Sequence, residues 1–222
     1  MKEAGNTGSL STGARTVLGV ICVLAVLLLI AGAATIPFFY ESQSIRYKLG
    51  MDKTFLRAGK ILAMAAGTLL LLQLLLSGKM KALERVFSSK QLYLTHRINA
   101  AVITALVIMH PLLVFAPEDI MNIPPDIRLW PEMLGAVLLV SICMLMSTAF
   151  FRNFLGFSFR GWQRLHHAGS VCVVIMLFVH VLFVSDTFES GPPRALVISV
   201  GTIYGILLLW VKVKPVLQKM RG

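Results

Sequence analysis

The chain has 222 residues, 57% of them hydrophobic and only 14% charged, with a net charge of +11 and a mean hydropathy of +0.80. Such a composition excludes an ordinary water-soluble domain. It also argues against a nucleic-acid binder: the basic residues sit between apolar runs, where they act as topology signals, and no basic-plus-aromatic recognition motif accompanies them.

Residues 1–15 read as a flexible N-terminal tail, with Gly5-Asn6-Thr7-Gly8-Ser9 at its centre. Six apolar segments follow: Val17–Phe39, Leu56–Ser77, Tyr93–Phe115, Glu132–Phe151, Trp162–Val184 and Ala195–Val213. Each approaches the ~20 residues a helix needs to cross the hydrocarbon core. Strong helix formers dominate and ten-residue alternating strands are absent, so the expected fold is an all-α integral membrane bundle of six spans over residues 16–214. Residues 215–222 form a short basic tail.

The first segment has a rival reading. Arg15, an apolar run and Ala31-Gly32-Ala33 resemble a signal peptide with its cleavage site. The run continues to Phe39, which favours a retained helix.

Lys and Arg distribution places both termini in the cytoplasm, as expected for a multi-pass protein of the inner (plasma) membrane. The loops Lys79–Lys90 and Arg152–Arg164 then lie inside. The outer loops after the third and fifth spans hold only Arg128 and Arg194, against Glu118, Asp119, Asp126, Glu132, Asp186 and Glu189. The first loop, with Arg46, Lys48, Lys53, Arg57 and Lys60, works against this orientation. Pro117, Pro124, Pro125 and Pro131 break the longer outer loop. Its apolar residues suit an interfacial loop anchored by Trp130, or a cap over the bundle mouth. Gly191, Pro192 and Pro193 mark the loop Asp186 to Arg194.

All five histidines lie in two of these spans. His96 and His110 are 14 residues apart in the third; His166 and His180 are 14 apart in the fifth, with His167 adjacent. Fourteen residues correspond to about 21 Å of helix rise and return to within about 40° of the same face. In this topology the two helices run the same way, so His96 pairs in depth with His166 or His167, and His110 with His180. Ionisable residues within a membrane are usually functional. Two pairs at matching depths suit two flat macrocycles stacked between helices 3 and 5, each gripped by one imidazole from each helix. That is the geometry of two haem b groups. His166 keeps the spacing. His167, at 13 residues, falls about 140° away on an ideal helix, so His166 is favoured as the axial ligand and His167 is kept as a contact.

The competing class is a metal transporter or a bundle with hydrogen-bonding histidines. Transport sites usually gather ligands at one depth and recruit carboxylates. Here the ligands are split by depth, and apart from Glu132 at a helix edge the spans carry no acid. Arg97 and Arg164 lie at the inner depth, within reach of haem propionates or of the interface. Pro111, directly after His110, removes a helix hydrogen bond to the carbonyl of Val107. Cys22, Cys143 and Cys172 sit singly in apolar runs with no CxxC, so neither zinc, thiol redox chemistry nor covalently attached haem is expected. No GxGxxG lies between a strand and a helix, so FAD or NADPH enters only through a partner or a further domain.

The stretch from Leu56 to Val114 resembles the ferric reductase-like transmembrane domain. It carries Arg57, Gly59, a Leu-rich second span, Leu83-Glu84-Arg85, Thr95-His96-Arg97 and His110-Pro111. Trp162-Gln163-Arg164-Leu165-His166-His167 through to His180 resembles the family's second ligand helix. The likeness spans roughly residues 50 to 214. It implies two bis-histidine b haems and electron flow from a cytoplasmic donor to an outer acceptor. The donor would be a flavoprotein reductase or a membrane quinol. The acceptor would be ferric iron, dioxygen or a periplasmic redox protein.

Overall fold

A computed structural model describes residues 11–42, 50–77, 80–116 and 127–220, without the side chains of Arg128, Leu208 and those from Trp210 onward. The first ten residues, most of the first loop, Lys79 and most of the proline-rich loop lie outside the described residues. The readings of residues 1–10 of the tail, of Arg46 and Lys48, and of the capping loop lie there with them, whereas Thr12 to Arg15, also assigned to the tail, open the first helix.

The described residues form seven helices and no strand: α1 (Thr12–Phe39), α2 (Gly50–Ser77), α3 (Lys81–Val86), α4 (Ser89–Phe115), α5 (Trp130–Phe150), α6 (Phe159–Phe183) and α7 (Gly191–Met220). Among the described residues α1, α2, α4, α5 and α6 are long and apolar enough to cross a membrane. The sixth predicted span falls within α7, whose later side chains are not described. The helix α1 runs unbroken through Ala31-Gly32-Ala33 to Phe39.

Most helices begin earlier than hydropathy suggests, because polar residues in the flanks cap them. Ser11 accepts from the backbone N–H of Ala14. Ser88 and Gln91 form a reciprocal capping box at the start of α4, and Ser158 accepts from Gly161 at the start of α6. The predicted loop Asp186 to Arg194 is shorter than expected. A 3₁₀ turn (Asp186–Phe188) leads to α7, which starts at Gly191 with Pro192 and Pro193 in its first turn. There a proline loses nothing, since the first amides of a helix have no partner.

The bundle is built from two intimate pairs, α2 with α4 and α5 with α6, joined by thinner α4–α5 and α2–α6 contacts. α1 packs on α2 and α3. A buried cluster of Ile103, Leu138, Ile142 and Val173 joins the two pairs at mid-depth, with Leu69, Leu70, Leu145 and Met176 packed around it. Ile103 and Val173 are each 2% exposed. Each lies seven residues from either histidine of its own helix, so His96–Ile103–His110 and His166–Val173–His180 form two continuous stripes. At mid-depth the stripes meet through these aliphatic side chains.

Two paired histidine levels

α4 and α6 run in the same direction. His96 and His166 line one cavity, and His110 and His180 lie 14 residues further along the same two helices. The levels are built differently.

At the His96–His166 level the bundle opens. A cavity of about 580 Å³ lies between the helix pairs, lined by His96, His166 and His167. The size falls within the ordinary range of small-molecule and cofactor sites. Ile103 and Val173 line it too, so the mid-depth contact forms its floor; Arg97, Glu84, Gln163 and Trp162 stand toward its mouth. His166 is half-buried and tilted against the Trp162 indole, ring centroids 5.1 Å apart, whereas His167 is exposed. The Nδ1 atoms of both His96 and His166 are buried without a hydrogen bond. The Trp162 indole nitrogen is buried and unpartnered as well. Buried polar atoms without partners are rare, and these three belong to residues that line the same cavity.

Polar groups brace this level from behind. The Gln73 amide donates to the His96 carbonyl at 2.7 Å, and the Asn99 amide donates to Gln73 Oε1 at 2.7 Å and to the Leu69 carbonyl at 3.0 Å. Asn99 is buried. These bonds tie α2 to α4 just where α4 presents His96. Arg97 lies 5.8 Å from the Tyr93 ring and 5.9 Å from that of Phe150, its guanidinium free of any carboxylate among the described residues.

At the His110–His180 level the rings are held by backbone. His110 Nδ1 lies 3.0 Å from the Gly59 carbonyl, and His180 Nδ1 lies 2.8 Å from the Pro131 carbonyl. A carbonyl can only accept, so each Nδ1 carries the proton and each Nε2 keeps its lone pair. That is the tautomer a metal-binding imidazole needs, with the outer-shell partner that such ligands usually have. Glycines make both approaches possible. A Cβ on Gly135 would lie 2.6 Å from His180 Cε1, and one on Gly59 would lie 2.7 Å from Val114 Cγ2. Trp130 packs on Phe183 beside this level, ring centroids 5.2 Å apart. Glu132 Oε2 is buried there without a hydrogen bond.

Beyond this level the chain is latched. Glu41 pairs with Arg57 and, at 3.0 Å, with Lys53. Lys60 Nζ donates to Thr187 Oγ1 at 3.0 Å, and Thr187 donates to the Tyr40 carbonyl at 3.1 Å. So Lys53, Arg57 and Lys60, three of the basic residues that counted against the predicted orientation, have partners at this end.

The five histidines were legible from spacing. Gln73, Asn99, Trp162, Gly59 and Gly135 were not singled out in these roles. The first two were discoverable as carboxamides inside apolar spans. The carbonyls of Gly59 and Pro131 leave no side-chain signal. Among the described residues no three of His, Cys, Asp and Glu gather at one point.

No curated protein and no solved structure matches the chain. The family model of the ferric reductase like transmembrane component matches residues 62–177, from the middle of α2 to near the end of α6. The match takes in His96, His110, His166 and His167 and stops three residues before His180, a narrower reach than the motif likeness. It covers just over half of the chain, which therefore belongs to the ferric reductase-like transmembrane family.

Proposed function

We propose that this protein is a transmembrane electron-transfer component that binds two b-type haems, one at each histidine level. The reading is carried by paired imidazoles, one from α4 and one from α6, at two depths, with the pair His96 and His166 lining a 580 Å³ cavity. Two imidazoles per level are what porphyrin iron requires, since the macrocycle supplies the other four ligands. A zinc or copper site built from protein alone would need more donors at one depth. Bound haem supplies one-electron chemistry through the ferric and ferrous states.

The chain's own residues do the rest. His96 and His166 would hold the first group, and His110 and His180 the second. The Gly59 and Pro131 carbonyls fix the ring orientation of the second pair and raise its basicity. The tilt of Trp162 against His166, and the exposure of His167, favour His166 as ligand. Arg97, poised between two aromatic rings at the cavity mouth, suits a propionate. Ile103 and Val173 keep the space between the levels dry. With His110 and His180 both holding the second group, an acceptor would be reduced at its edge rather than at the metal.

In the proposed orientation the cavity level faces the cytoplasm and receives electrons from a flavoprotein reductase or a quinol. The latched level faces outward and delivers them to ferric iron, dioxygen or a redox protein. The test is the visible spectrum of purified protein. A reduced b-type spectrum with two haems per chain is expected. Colourless protein, or protein that carries only zinc, overturns the reading.

A further inference from the structure

The segment joining α5 to α6 has a composition that no connecting loop needs. Phe150, Phe151, Phe154, Phe157 and Phe159 are five phenylalanines in ten residues, with Leu155 among them. All six are exposed, and Phe154 at the tip is 89% exposed. Loops that face water are polar. The other connection at this end of the bundle, α3, differs: it carries Lys81, Glu84 and Arg85, and the Phe87 that follows it packs at 3.4 Å on the position where a Gly19 Cβ would stand.

The loop is also closed on itself. Phe151 donates to Ser147, Leu155 to Phe151, Gly156 to Asn153 and Phe157 to Arg152, all backbone bonds of 2.8–3.2 Å. Gly156, with φ +70°, permits the reversal. A segment entering lipid must satisfy its amides internally, and this turn does so for much of its backbone. The charge is one-sided. Arg152, Arg160 and Arg164 flank the aromatic tip, and no Asp or Glu occurs from Met133 to Ser185. Arg152 rests 5.3 Å over the Phe159 ring and 5.9 Å over Trp162, which holds its charge beside the apolar surface.

From this arrangement we propose that residues 151–158 form a membrane-interface wedge that seats on anionic phospholipid. The Phe154–Leu155 tip enters the acyl boundary, and Arg152 and Arg160 take the phosphate headgroups. Charge complementarity favours lipid: an apolar tip flanked along the chain by cations alone matches the boundary between acyl chains and anionic headgroups. The aromatics spread around the turn, whereas a protein-docking patch would gather them in one pocket-bearing face. The wedge follows directly on Phe150, and α6 begins close to Trp162, both of which line the cavity. Lipid seated there borders the cavity mouth. The inference does not depend on the haem assignment.

The test places a nitroxide on Phe154→Cys in full-length protein whose Cys22, Cys143 and Cys172 are replaced by Ala. The protein is reconstituted in vesicles of phosphatidylcholine, with or without phosphatidylglycerol. Collision with a water-soluble nickel chelate should be lost, and collision with oxygen gained, when phosphatidylglycerol is present. Arg152→Gln combined with Arg160→Gln should abolish that difference. A label equally open to nickel in both vesicle types overturns the proposal, as does shielding that appears only when a soluble acidic protein is added. Asn153→Cys, at an exposed polar neighbour, provides a second reporter should the tip variant misfold.

Discussion

The two histidine levels are chemically alike and mechanically opposite. At the His110–His180 level backbone carbonyls grip both imidazoles and glycines let the helices close in. At the His96–His166 level the Nδ1 atoms have no such grip, and the helices stand apart around 580 Å³. One level is preorganised by the protein; the other is shaped to be completed by what fills it. On the proposed two-haem reading, removal of one histidine at either level should abolish one haem, yet the surrounding structure should respond differently.

The sharpest test of that contrast is replacement of single histidines. His110→Ala or His180→Ala should halve the haem content and leave the other level loaded. His96→Ala or His166→Ala should halve it from the cavity side, and His167→Ala should leave it whole, all measured as haem per chain by pyridine haemochrome. Full haem in each of the four ligand variants would break the pairing, and half the haem in His167→Ala would transfer the ligand role to that residue.

Next in expected size is Gly135→Ala. The new methyl meets His180 at 2.6 Å, so the imidazole or α5 must shift. Overpacking of this kind costs about 1–3 kcal/mol. The outer haem should be lost or spectrally altered while the inner one keeps its absorbance and potential. If both levels change together, the levels are not independent.

Asn99→Leu probes the brace of the other level. It removes the amide bonds to Gln73 and Leu69 that tie α2 to α4. Hydrogen bonds between membrane helices contribute about 0.6–2 kcal/mol, so a modest fall in melting temperature is expected. The inner haem should be the first to dissociate on heating, as followed by absorbance.

The smallest effect concerns the latch. A hydrogen bond from Lys53, reinforced by the charges of Lys53 and Arg57, holds the Glu41 carboxyl below its ordinary value of 4.5. A lowered folded-state value means that the latch contributes above 4.5 and that the contribution fades as pH falls through the lower folded value. The melting difference between wild type and Glu41→Gln should therefore be small near neutrality and vanish on acidification. A difference that grows in acid would contradict the pairing. The site is exposed, so the whole effect is slight.

Much of this was legible in the chain alone. Long apolar runs have few outcomes in a bilayer, and so α1, α2, α4, α5 and α6 appear where hydropathy places them. A 14-residue interval returns to the same helix face, so the two-level arrangement of His96, His110, His166 and His180 follows from arithmetic on a helix. Helix starts were missed by several residues because Ser11, Ser88 and Ser158 cap from outside the apolar run. α3 is too short to have a hydropathy signature.

Tertiary structure decided which face meets which. Gly59 and His110 are 51 residues apart, and Pro131 and His180 are 49 apart. Their contacts run through backbone oxygens that every residue type possesses, so no residue pattern encodes them. The opening of the bundle at one level and its closure at the other depends likewise on where α2 leans on α4 and α5 on α6. Periodicity sets the direction in which a side chain leaves its own helix. Whether it finds a carbonyl, a glycine or an open cavity is set by the packing of neighbours distant in sequence.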